Sequence, residues 1–267
     1  LLFLIVLALA QGQALAFTLG VLPIHSSRVL VERYEPLRIY LERTLQQSVR
    51  VESAADFARF HARTLRGDFD LAITAAHFAR LAQKDLGFQA LAQFQPDHDA
   101  LLVTRADRPL VSLKDMKGGQ LAVIDRLAIS AMAAIQLIEA AGLESDKDFK
   151  VAEHRSHASV AHSLLSGLSA AAVTTSQGML QIPDDSRRKL AVQKHIADIP
   201  AFVLLAKPDL PRNQAERLKA LLMAFPREAE GIEFLGRTGY TDIRPASEAS
   251  MKRADAYLKE TRKVMKP

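Results

Sequence analysis

Ser130, His157, Thr74, His77 and His25 are the polar residues of this sequence best placed to hold a small molecule. Their chemistry is hydrogen bonding rather than bond making. No Gly-x-Ser-x-Gly elbow presents a nucleophile, no Gly-x-x-x-x-Gly-Lys loop cradles a phosphate, and no His-Glu-x-x-His helix offers a zinc site. The chain is therefore not expected to be an enzyme. His154 and His157 form a His-x-x-His pair with His162 following, and two imidazoles can ligate a metal. Glu153 is the one carboxylate beside them, and the stretch straddles a strand–helix junction. A closed site needs more ligands, so neither a metal nor another cofactor is expected. His157 reads instead as a hydrogen-bond donor in a cleft, with His154 and His162 on the surface. Ser130 opens a helix, where a cap also presents donors outward. Thr74 and His77 follow a strand's C-terminal end, the place where α/β sheets bind ligands, and His25 follows Pro23 in a similar position.

The elements that must carry these residues alternate. Strands are predicted at 17–22, 49–51 and 69–73, separated by helices over 32–45, 55–65 and 76–84. A strand at 100–103 and a short helix at 112–119 lead into a second run. That run has strands at 120–124, 150–153 and 170–173, with helices over 130–141 and 160–168. A strand at 201–206 returns, and amphipathic helices span 212–225 and 249–263. Such alternation gives an α/β fold of mostly parallel sheets flanked by helices. The expected arrangement is two lobes: 17–103 with 203–267, and an inserted 104–202. The chain would cross near Leu102–Thr104 and return near Phe202, which makes a hinge able to close on a ligand.

Composition agrees. The chain has 267 residues, no Cys and no Trp, 49% hydrophobic and 24% charged residues. That suffices for two lobes with a real core. Leu1–Ala10 is an uncharged apolar run followed by Ala14-Leu15-Ala16, the pattern of a cleavable export signal over 1–16. The run is shorter than the ~20 residues that span a bilayer. The net charge of +5 is spread among both signs without a basic stripe, which argues against nucleic acid. The expected product is a monomer exported to the periplasm.

Six stretches then resemble one family, the phosphate/phosphite/phosphonate type of periplasmic substrate-binding protein of ABC transporters. They are Gly20–Pro23, Tyr34–Leu37 with Leu41, Leu65–Ala72, Val111–Gly118, Ala141–Phe149 and His157. The resemblance implies a two-lobed periplasmic-binding-protein fold, a small oxyanion in the interlobe cleft, and an inner-membrane permease as partner. It also implies that the loop Asp125–Ala131 lies against the anion. Asp125 and Ser130 are kept there, while Ala128 and Ile129 stand where the family has hydroxyls. Ser159, Thr174 and Phe202 join the expected ligand contacts, Phe202 near a position that can be acidic. These changes make the cleft less polar, so a less polar or lipid-like ligand is one alternative. A ligand-sensing adaptor for a membrane signalling protein is the other.

Overall fold

The structure is a computed structural model that describes residues 16–265. The expected export signal therefore lies outside the described residues, apart from Ala16. Strands β1 (Phe17–Val21), β2 (Val49–Glu52), β3 (Leu71–Thr74) and β4 (Gln89–Gln95) come first. Then follow β5 (His98–Arg105), β6 (Gln120–Val123), β7 (Lys150–Glu153), β8 (Ala171–Thr174) and β9 (Leu190–Ile199). The chain returns through β10 (Val203–Ala206) and β11 (Asp242–Pro245). They form a six-stranded sheet, ordered β11-β4-β10-β3-β1-β2, and a five-stranded one, ordered β7-β6-β8-β5-β9.

Each sheet has a parallel half. β1 pairs in parallel with β2 and β3, and β6 with β7 and β8. β1 and β3 are buried along their whole length, as expected for parallel strands covered by helices on both faces. Gly20 is needed in β1 because any Cβ there would meet the Phe69 ring at 2.5 Å. The other halves are antiparallel, because β10 inserts between β3 and β4 and β5 between β8 and β9.

The lobes join at two short crossings, Pro96–Asp97 and Pro200–Phe202. The first lies upstream of the expected Leu102–Thr104. β5 starts at His98 and pairs with β9 from His98↔Ile199 to Arg105↔Leu190. Residues 98–103 thus belong to the second sheet rather than the first. Their partner β9 is largely solvent-facing, with Val192–His195 all exposed, and gave no strand signal.

The first helix, Ser27–Leu45, starts five residues before the expected Glu32 and contains Pro36. A proline inside a helix leaves the carbonyl four residues earlier without its donor. That carbonyl, on Glu32, accepts instead from Arg237 Nη1 at 2.7 Å. One core fills the first lobe with Tyr34, Phe94, Phe225, Phe234 and Tyr240. Another runs from Phe57, Phe60, Phe69 and Phe78 of the first lobe to Leu121, Met132 and Phe149 of the second. The C-terminal helix Asp255–Val264 packs on the Ala76–Leu86 helix of one lobe and the Ile129–Ala140 helix of the other. The buried Arg80 anchors it through Asp255 at 2.9 Å and the preceding Glu248 at 2.8 Å.

Candidate functional site

A pocket of about 70 Å³ lies between the lobes. The loops that leave the C-terminal ends of the parallel strands build most of it. Ile24 and His25 follow β1, Phe57 follows β2 and Ala75 follows β3. Ile124 and Ala128–Ser130 follow β6, His157 follows β7, and Thr175 and Gln177 follow β8. The hinge adds His98, Ile199, Pro200 and Phe202, and the first helix adds Arg33 and Tyr34. Fold topology therefore brings sequence-distant loops to one point, as it does in other open α/β sheets.

Several helices also begin there. Phe57 and His157 are first residues of helices capped by Asp56 and Ser156. Thr175 caps the short Ser176–Met179 helix with its own side chain. Ala75 and Ala128 cap the Ala76–Leu86 and Ile129–Ala140 helices, one from each lobe, and neither has a side chain able to accept a hydrogen bond. Their first-turn N–H groups are left for something else, with the positive dipole end of each helix behind them.

The pocket's charge is one-sided. Its lining includes Arg33 and no Asp or Glu. Arg33 makes no ion pair among the described residues. The histidines of the wall are neutral at physiological pH. Burial lowers His157 to about 4, with the nearby His98 adding to the effect. Burial also takes His98 to about 4, against the opposing charges of Asp97 and Asp99. His25 falls to about 4 through burial, then Arg33 and His157, while Gln181 opposes the shift.

Of the residues expected at a ligand, the structure brings Ser130, His157, Ile129, His25 and Phe202 to this pocket. The remaining five have other surroundings. Thr174 stands behind the wall, its Oγ1 2.9 Å from His157 Nδ1, where it fixes the imidazole. Asp125 turns away and accepts from the backbone N–H of Leu127 at 2.8 Å. It also accepts from that of Phe57 in the other lobe at 3.4 Å, and burial raises it to about 6. Ser159 is taken up by the Ser156 cap, its N–H 3.1 Å from Ser156 Oγ. Thr74 is the last residue of β3 and fully buried. His77 is fully buried, stacked on Phe78 with centroids 4.1 Å apart and close to the Leu127 backbone of the other lobe.

Arg33, His98, Gln177 and Tyr240 were not anticipated. Arg33 directly precedes the family-like Tyr34–Leu37 stretch, the one sequence signal that could have drawn attention to it. His154 and His157 do not share a site, and no group of three or more His, Asp or Glu able to hold a metal occurs among the described residues.

Gly178 is the device that seats His157. A Cβ there would stand 2.5 Å from both His157 Cε1 and Thr174 Oγ1. Gly178→Ala is therefore expected to drive the imidazole out of place and weaken ligand binding by about tenfold or more, the scale of one charge-assisted hydrogen bond. Calorimetry would read the loss, and unchanged affinity would remove His157 from the site.

The model of the family described as "ABC transporter, phosphonate, periplasmic substrate-binding protein" matches residues 19–251. Among solved structures, a binding protein component of the ABC phosphonate transporter of Pseudomonas aeruginosa superposes with a TM-score of 0.80 at 18% identity, covering 94% of this chain and 89% of that one. PhnD1 of Prochlorococcus marinus, in complex with methylphosphonate, gives 0.81 at 15% identity, covering 93% and 98%. A Xanthomonas citri protein bound to chloride gives 0.78 at 18% identity, covering 93% and 99%. No curated protein matches the sequence. At these identities the structural likeness establishes the fold.

Proposed function

This chain belongs to the family of periplasmic substrate-binding proteins of phosphonate ABC transporters, and from that premise we propose that it captures a small phosphonate-like oxyanion between its lobes and delivers it to a permease. The family consists of binding proteins for transport, not enzymes. No helix among the described residues is long and apolar enough to cross a membrane.

One observation carries the choice of ligand. Two helix N-termini without side-chain caps, at Ala75 and Ala128, meet from opposite lobes in one pocket. Free N–H groups and positive dipole ends favour phosphate-like oxygens, and they draw on backbone rather than hydroxyl groups. Losing the hydroxyls at Ala128 and Ile129 therefore leaves the anion's main partners in place. In this reading Ser130, His157, His25 and Arg33 contact the oxyanion, Thr174 holds His157, and Ile129 and Phe202 form the apolar wall. Closing the hinge brings both N-termini onto one ligand. A lipid-like ligand is disfavoured by the size of the cavity, about 70 Å³. The protein acts as a periplasmic monomer.

Calorimetry on the purified protein with methylphosphonate, phosphite and phosphate tests the reading. At least one should bind with Kd below about 1 μM. Absence of binding by all of them would sink the oxyanion assignment.

A further inference from the structure

Two polar atoms of the pocket wall are buried and have no hydrogen-bond partner, His98 Nε2 and Gln177 Oε1. His98 is 8% exposed, and its ring is packed by Phe202 and Tyr240 at centroid distances of 4.9 and 5.8 Å. Chain pairing brings the two residues close together in the pocket wall. Asp99, next to His98, accepts from Ser176 N–H at 2.7 Å and from its hydroxyl at 2.5 Å, and Ser176 precedes Gln177. A buried polar atom left unpaired carries the full desolvation penalty of the group, so both atoms gain when a ligand meets them.

We propose, building on the reading above, that the ligand is an oxyanion whose substituent bears an uncharged hydrogen-bonding group, a hydroxyl being the simplest, received by His98 Nε2 and Gln177 Oε1. A neutral group suits this wall and an ammonium does not. No carboxylate lines the pocket, Arg33 does, and several helix N-termini point positive ends at it. The carboxylates nearest the wall are committed elsewhere. Asp99 holds Ser176, Asp97 pairs with Arg253, and Asp125 takes the N–H groups of Leu127 and Phe57. A buried cation without a counter-charge is strongly disfavoured. A plain alkyl group fits the space but leaves both polar atoms unpaired.

Hydroxymethyl-, ethyl- and aminomethylphosphonate have the same heavy-atom skeleton and differ in one terminal group, so size cancels. By calorimetry at neutral pH, hydroxymethylphosphonate should bind about tenfold tighter than ethylphosphonate, as expected for two relieved polar atoms. It should bind about 100-fold tighter than aminomethylphosphonate, reflecting the unpaired charge. Gln177→Met should shrink the hydroxymethyl-to-ethyl ratio. The Gln177 side chain makes no other hydrogen bond, so this variant keeps its fold. The proposal is overturned if ethylphosphonate equals or exceeds hydroxymethylphosphonate, if aminomethylphosphonate comes within tenfold, or if Gln177→Met leaves the ratio untouched. It also falls if methylphosphonate binds and none of the three larger compounds does. If no oxyanion binds at all, the oxyanion reading itself has failed.

Discussion

Ser130→Asp should leave the protein folded and abolish oxyanion capture, by more than about 100-fold, whereas Ser130→Ala should cost about tenfold. The opposite directions for folding and binding follow from one position. Ser130 is the second residue of the Ile129–Ala140 helix, whose Ala128 cap offers no acceptor. A carboxylate there would take up the free N–H groups and sit at the positive end of the dipole, an arrangement worth ~0.3–1 kcal/mol to the helix. The same carboxylate would occupy the place proposed for the ligand oxygens and repel them in a buried pocket. Ser130→Ala removes one hydroxyl and leaves the backbone donors, so the loss should be that of a single hydrogen bond to a charged group. Thermal unfolding reads the first effect, and calorimetry with methylphosphonate the second. If Ser130→Asp binds as the unaltered protein does, the anion lies elsewhere. If Ser130→Ala costs as much as Ser130→Asp, the hydroxyl and not the helix terminus is the main donor.

The sequence made the backbone of this site legible more readily than its side chains. β1 and β3 are short apolar runs between helical stretches, and both were visible because burial on both faces demands such composition. The loops after them follow, and with them the neighbourhoods of His25, Thr74 and Ser130. What a loop's location does not supply is the direction of each side chain. Thr74 and His77 lie within two residues of Ala75, yet Ala75 lines the pocket while both of them are fully buried outside its lining. Arg33 and His98 were out of reach for a different reason. Arg33 lies in a helix that was anticipated, but helical periodicity does not say which charged side chain faces the other lobe, and His98 opens a strand whose partner β9 is mostly solvent-facing. Missing that strand also displaced the first hinge crossing. β4, β11 and the Ala229–Thr238 helix were unassigned as well. β4 reads QALAQFQ, mixed in polarity, and β11 has only four residues. The hydroxyl count of the Asp125–Ala131 loop suggested a depolarised cleft. Beside Arg33, the anion-binding character of the pocket rests on backbone termini, which leave no residue-type signature.

Acidification should destabilise the unliganded protein between pH 6.5 and 4, and ligand should offset part of that loss. His61, His98 and His157 are buried and lowered by burial from 6.5 to about 4, and His77 to about 3. The unfolded chain takes up protons near 6.5 while the folded one does not, so folding stability is whole above 6.5 and is lost as pH falls. A lowering of this size in one histidine corresponds to about 3 kcal/mol. Several together rival the ~5–15 kcal/mol that holds a typical domain folded. Asp85 near His61, and Asp97 and Asp99 near His98, oppose the effect without reversing it. Asp125, raised to about 6, acts in the other direction. Its protonation favours the folded state as pH drops below 6, but it is one group against five once His25, also lowered to about 4, is included. Denaturant unfolding from pH 7.5 to 4.5 should therefore show a steep fall in stability. His77→Leu should make that fall shallower, because it removes an imidazole whose protonation is opposed chiefly by burial. Saturating methylphosphonate should also make it shallower by a separate route. His25, His98 and His157 line the pocket, and an anion beside them raises their proton affinity, so binding tightens as pH falls and takes up protons. His61 and His77 lie outside the lining, so the ligand gives them no such relief. The two effects should accordingly add in ligand-saturated His77→Leu. A pH-independent stability would show that these imidazoles reach water in the folded state. Methylphosphonate affinity that does not change across the same range would separate the histidines of the wall from the anion.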